Sequence, residues 1–330
     1  MSILKIVSDG DPFPARAGFA ENAFTNSLDS YSVGDPINDG NDRTFPDAQT
    51  GFDQIVESPV EYSITYRGGQ RDVYTSQQGN AIGPNQPIGV AINGAVIYSP
   101  SSKTKRPSLD NTIITNSGES FNWDVGSPSL NPYLDKAGGR PEEQGEYRYR
   151  NSNFAYKGFW NPNDTRTNER FKESSSYIND TSFGGDHIRH PSIEHNGTTF
   201  TAGHSKILGW AFDGFPIYGP FGYEQPLNPE SDVVLMRSTY TQIPGGTAHY
   251  QDPRRPAFSG IGTLVEDYEV NLNVTNSLDA YNGRYCITPD FREGTYAYFL
   301  TFSDPDGTSV PTNPAYPYII GPQSKQPMTY

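Results

Sequence analysis

At 330 residues, with 34% hydrophobic and 13% aromatic side chains, the chain can bury a large core as one big domain or two smaller ones. Its wealth of Gly, Pro and Tyr describes short strands joined by turns, and a net charge of −14 excludes holding a phosphate backbone on a general basic surface, so nucleic acid is not an expected partner. The single cysteine, Cys286, excludes an intrachain disulfide and a cysteine zinc site, and no run of about twenty apolar residues is present to span a membrane.

The opening residues, MSILKIVSDGDPFP, predict a short strand at Ile3 to Val7 and reach Asp9 too early for a secretory leader, which points to synthesis in a cytoplasm. From Asp9 to Gln49 the chain is rich in Asp, Asn, Gly, Pro and Ser and follows neither a helical nor a strand period. Residues 1–58 are therefore read as an extended N-terminal assembly arm and 59–330 as one β domain. Oxygen-bearing side chains are dense between Gly34 and Asp47, but their order does not follow an EF-hand calcium loop. Val60 to Tyr66 alternates as a strand and ends in the turn Arg67-Gly68-Gly69.

The next organised stretch occurs twice. IGVAINGAVIYSP (Ile88 to Pro100) and ILGWAFDGFPIYGP (Ile207 to Pro220) share the pattern G-x-A-x-[ND]-G-x-x-I-Y-x-P. Asn-Gly and Asp-Gly accept positive φ at both centres of a type I′ turn, so each copy is expected to be a hairpin and the two a pseudo-symmetric pair. Pro216 replaces Val96 of the first copy and should turn its missing N–H away from a ladder. Between the copies Tyr147 to Trp160 is dense in aromatics, and 161–203 reads as a loop insertion. Beyond them Leu264 to Val274, Thr295 to Ser303 and Tyr316 to Ile320 are expected strands, and QSKQPMTY an exposed tail. The resulting fold class is mainly β: a β-sandwich-like core with duplicated hairpins, long loops and little helix.

GHSKILGWAFDGFPIYGP (Gly203 to Pro220), LDAYNGRYCITPDFREGTYAYFLT (Leu278 to Thr301) and YPYIIGP (Tyr316 to Pro322) resemble the YHYH domain family, and IGVAINGAVIYSP fits its earlier segment. The form resembled is that of virion structural proteins of marine cyanobacterial phages, which implies a chain made in a host cytoplasm and carried on a virion; the tail or baseplate region is the place expected. The family's Tyr-His-Tyr-His run, preceded by Gly-Gly-His-Pro, would present alternate histidines on one strand face as metal ligands. Here the matching places read GGRPEEQGEYRYR, with Arg140, Arg148 and Arg150 in histidine positions. A guanidinium keeps its proton and has no lone pair to give, so a metal site there is expected to be lost.

What remains is a strand with Tyr147 and Tyr149 on one face and Arg148 and Arg150 on the other, near Glu142, Glu143 and Glu146. The plainer expectation is a solvated strand of Arg–Glu pairs; the sharper is a binding patch of Tyr147, Arg148, Tyr149, Arg150 and Trp160 facing an acidic neighbour or a sugar acid. Four of the five histidines gather in GGDHIRHPSIEHNGTTFTAGHSK. His187 and His190 are spaced to share a metal with Asp186 or His204 as third ligand, although histidines in polar loops are more often surface or turn residues. A divalent metal is thus the one cofactor left open. Cys286 reads as a small buried filler, Asp213 as a turn residue, and no nucleophile elbow is present, so no enzyme is expected. The function expected is that of a virion structural subunit, oligomeric in the particle and held by other virion proteins. An adhesin-like module for a host-surface glycan is the rival, and a metal-dependent secreted enzyme the weaker alternative.

Overall fold

The computed structural model describes residues 2–8, 60–70, 79–92, 94–102, 123–124, 138–141, 147–152, 154, 189–253, 255, 260–275, 277–303 and 313–329. Strands β1 (Ile3–Ser8) and β2 (Val60–Thr65) form an antiparallel ribbon. After β3 (Asn80–Ala81) comes the first large hairpin, β4 (Pro87–Ala91) and β5 (Val96–Tyr98). Then β6 (Ser101–Ser102) pairs with β7 (Trp123–Asp124), and β8 (Gly139–Pro141) with β9 (Tyr147–Tyr149). A small hairpin, β10 (Ile193–His195) and β11 (Thr198–Phe200), precedes the second large one, β12 (Ile207–Ala211) and β13 (Pro216–Tyr218). Next, β14 (Phe221–Tyr223) pairs with β15 (Val233–Leu235), and β16 (Tyr240–Gln242) with β17 (Tyr268–Val270). Strands β18 (Gly283–Cys286) and β19 (Thr295–Phe299) lead to β20 (Phe302–Ser303), β21 (Asn313–Pro314) and β22 (Gln323–Ser324), the last returning to pair with β3. The described helical elements are two short 3-10 turns, Ala248–Gln251 and Val265–Asp267, so the fold is mainly β with little helix.

Eight strands join in one mixed sheet, in the order β18-β19-β13-β12-β4-β5-β9-β8, and its two halves repeat each other. The large hairpins meet antiparallel at the centre, with Gly89 opposite Ala211, Val90 opposite Trp210 and Ala91 opposite Gly209. A two-fold axis through the Val90–Trp210 pair maps that register onto itself. Outward from it, β5 takes β9 and β13 takes β19 in parallel, and each of these takes an antiparallel edge strand, β8 or β18. Ile97 faces Tyr149 as Ile217 faces Tyr298, so Tyr147-Arg148-Tyr149-Arg150 has its counterpart in Tyr296-Ala297-Tyr298-Phe299. The left-handed residue before each edge strand is repeated too: Gly138 at φ 76° accepts from Arg150 N at 2.8 Å, and Asn282 at φ 66° from Phe299 N at 3.2 Å.

The hairpins differ from the expected type I′ turns. Positive φ falls on Gly94 (93°) and Gly214 (95°) but not on Asp213, and Ala211 N donates to Phe215 O while Gly214 N donates to Ala211 O. The result is a three-residue loop with its glycine in the left-handed position, a geometry open to the same Asp-Gly dipeptide.

Apolar side chains cover both faces of the sheet. On one, Ile88, Ile97, Tyr149, Leu208, Ile217, Tyr296 and Tyr298 pack with Tyr316, Tyr318, Ile319 and Ile320. On the other, Tyr218, Cys286 and Phe299 pack with Met236 and Leu278, while Val90 and Trp210 at the axis meet Phe212 and the inward side chains of the β1–β2 ribbon, Ile6, Tyr62 and Ile64. The covering layers are thus ribbons and turns laid on one wide sheet. Three expectations are corrected here. Ile3–Ser8 belongs to the β domain, not to a separate arm, while residues 9–59 lie outside the described ones. Tyr316 to Ile320 is a buried turn segment whose Ile319 O accepts from Asn282 Nδ2 at 3.1 Å, not a strand. The tail is not free: Ser324 and Gln326 are buried, and Thr329 N donates to Phe212 O at 3.0 Å.

Candidate functional site

The sheet fixes where each expected site residue lies. Strand β9 puts Tyr149 on the first face, fully buried and stacked on Phe154 at 4.6 Å between centroids. Arg148 and Arg150 turn to the other face, where both guanidinium groups lie over the Tyr98 ring, at 4.0 and 5.2 Å. Arg150 is 1% exposed, and its Nη1 donates to Ser99 O and to Asn85 Oδ1, each at 3.1 Å. The solvated strand and the exposed patch are therefore both corrected at Tyr149 and Arg150, because a cation that satisfies main-chain acceptors can be folded inward. These arginines clamp β9 to the hairpin, and they do not fit a metal, having no lone pair to offer. Tyr147 is described only as a strand position, and Trp160 lies outside the described residues.

At the opposite end of the same face lies a polar cluster built on β13. His190 and His204 are brought side by side by main-chain bonds, His190 N donating to His204 O at 2.8 Å and Gly203 N to His190 O at 2.9 Å. His190 Nε2 is 3.1 Å from Asp290 Oδ2, which also accepts from the Tyr218 hydroxyl at 3.0 Å, and that hydroxyl lies 2.9 Å from Thr288 Oγ1. Burial alone would raise Asp290, but the hydrogen bonds from His190 and Tyr218 outweigh it and hold the carboxyl below its usual range. Tyr218 is pushed well above the phenol range, first by burial and then by the Asp290 charge, so it stays a donor.

His204 is fully buried against Tyr223, Tyr218 and Phe299, at 4.8, 5.3 and 6.0 Å between centroids. Its Nδ1 lies 2.8 Å from Ser205 O and must carry the proton there, which leaves Nε2 a bare acceptor, buried and without a hydrogen-bond partner. Burial holds the ring neutral, its pKa pushed down to about 3. Among the described residues no three His, Cys, Asp or Glu side chains converge as a metal requires; His187 lies outside them. The cluster joins the segment before β10 to the loop after β18. Arg284 secures the neighbouring strand by donating to Tyr223 O at 2.6 Å.

A third group was read too simply from sequence. Asp213 is buried, and its Oδ2 accepts from the Tyr298 hydroxyl at 2.5 Å and from Gln326 N at 3.2 Å, while Lys325 N donates to the same hydroxyl at 2.8 Å. Its main-chain oxygen takes Arg67 Nε at 2.9 Å. One turn residue thus ties the turn after β2, strand β19 and the C-terminal segment together. Burial pushes its pKa up to about 6 against the hydrogen bonds that favour the charged form. The signal the sequence carries is the repeated order of a Gly-Arg pair and a later Tyr-x-Tyr, in GGRP with EYRYR and again in NGRY with TYAYF.

These features define a duplicated β protein built on one eight-stranded mixed sheet, in which the Tyr-x-Tyr-x strands serve the core and a cationic clamp. The chain belongs to the YHYH protein family, whose sequence profile matches residues 71–308. No curated protein and no solved structure matches it.

Proposed function

We propose that the chain is a phage virion structural protein, a tail, baseplate or fibre-attachment component that works through contacts with other virion proteins. The particle is suggested by the resemblance to virion-borne forms of the family. The structural observation that favours this reading is the outer face of the β1–β2 ribbon. Ile6 packs inward against Ile64, Val90 and Phe212, whereas Ile3 and Val7 stand 70% and 69% exposed on either side of Lys5. Lys5 pairs with Glu61 at 2.7 Å across the ribbon, so the face is two aliphatic side chains flanking an ion pair. Such a strand face gains free energy when a neighbour covers it, at roughly 25 cal/mol per Å² of apolar surface.

The test is the double variant Ile3→Asp, Val7→Asp, with thermal unfolding of the isolated protein and mass spectrometry of purified particles. The variant is expected to unfold at the wild-type temperature and to fall several-fold in abundance on the particle. Undiminished incorporation, or absence of the wild-type chain from particles, overturns the reading.

A further inference from the structure

The small hairpin β10–β11 turns through Asn196-Gly197, both residues left-handed at φ 50° and 79°. The turn is exposed, and nothing lies within 4 Å of where a Cβ on Gly197 would stand. Beside it is an ordered relay: Arg292 Nη1 lies 2.5 Å from His195 Nδ1, and His195 Nε2 lies 3.2 Å from Asn196 Nδ2. An arginine N–H only donates, so Nδ1 accepts and the neutral imidazole carries its proton on Nε2. An amide nitrogen cannot accept that N–H, so the Asn196 amide is turned over to bring its oxygen to the place of Nδ2; amide oxygen and nitrogen are told apart by such partners. A donor on that oxygen draws electron density from Cγ.

We propose that Asn196-Gly197 is a site of self-catalysed modification, deamidating through a cyclic imide with His195 as the hydrogen-bond donor that assists it. The main-chain nitrogen of Gly197 gives its proton to a solvent base and attacks Asn196 Cγ, forming the N–Cγ bond. His195 Nε2–H stabilises the oxyanion that develops. The Cγ–Nδ2 bond then breaks, and the nitrogen leaves as ammonia with a proton from water. Water opens the imide at either carbonyl, giving aspartate or isoaspartate, with no change of oxidation state. The new carboxylate sits against His195 Nε2–H, where a charge-assisted hydrogen bond favours it.

The molecule carries its own control. Asn282-Gly283 is the same dipeptide with its first residue also left-handed, at φ 66°, but Asn282 is buried and its Nδ2 donates to Phe299 O at 3.0 Å and to Ile319 O at 3.1 Å. Folded full-length protein held in mildly alkaline buffer, then digested and followed by peptide mass spectrometry, should convert Asn196 at least several-fold faster than Asn282. His195→Ala is expected to slow conversion at Asn196 several-fold. Arg292→Gln, which lets the His195 proton return to Nδ1 and leaves the hairpin's own residues intact, is expected to slow it likewise. Survival of Asn196 for as long as Asn282 overturns the site, and unchanged rates in both variants overturn the part given to the imidazole.

Discussion

Asp213 and His204 are buried on opposite faces of one hairpin, and burial moves them in opposite senses along the pH scale. Asp213 has its folded pKa raised from 3.8 to about 6, so the stability it contributes is full below the lower value and is lost as pH rises through the upper. His204 has its folded pKa lowered from 6.5 to about 3, so its contribution is full above the higher value and is lost as pH falls toward the lower. Between them the two oppose each other, at about 3 kcal/mol for the acid and about 5 for the imidazole over the full range. Each single variant should expose the other group. His204→Phe is expected to raise the urea midpoint on acidification from pH 7 to about 4, and Asp213→Asn to steepen its fall, both measured against the wild-type profile. Neither burial was legible in the sequence. An Asp before Gly reads as a turn residue, and a His in a polar loop as a surface one, until a second segment closes over them. Arg150 was hidden for the same reason, since a cation beside three glutamates looks solvated until Ser99 O and Asn85 are seen to receive it.

The hairpins are where local sequence and structure agree best, because a small residue and a turn dipeptide are needed wherever the copies are placed. Gly89 and Gly209 face each other's strand so closely that a Cβ would stand 2.6 Å from Trp210 O and 2.8 Å from Val90 O. Those oxygens belong to paired backbone and cannot swing aside as a side-chain tip could. Gly89→Ala and Gly209→Ala should each destabilise the protein by about 1–3 kcal/mol in denaturant titrations. Gly260→Ala, whose Cβ would lie an ordinary 3.6 Å from Thr263 Cγ2, should stay within about 0.5 kcal/mol of wild type. The turn class and the outer strands were less legible. Asp-Gly serves both two- and three-residue loops, and the repeat of β8-β9 in β18-β19 survives as little more than a Gly-Arg pair and alternate tyrosines.

At the scale of the whole molecule, the mainly β class was open to composition alone, but the way the layers close was not. Tyr316 to Ile320 has strand-like content and is instead a turn that covers the sheet, its main chain held at single points, Tyr318 O by Thr301 N and Ile319 O by the Asn282 side chain, and not by a continuous ladder. The C-terminal residues looked soluble because their attachment is largely main chain to Asp213, Tyr298 and Phe212, a bond type that leaves no composition signal.

The reciprocal register at the centre of the sheet also makes each half, once parted from the other, a sticky object of defined geometry. A fragment beginning after residue 188 would bare β12, and the ladder it lost can be rebuilt from a twin: Trp210 against Trp210, with Gly209 against Ala211 on either side, as Val90, Gly89 and Ala91 now provide. Severed halves should therefore pair with themselves as well as with each other. Size-exclusion chromatography of the separated and mixed fragments would show whether the mixed pair outcompetes the two identical ones, as the extra cover from the β1–β2 ribbon over Val90 and Trp210 requires.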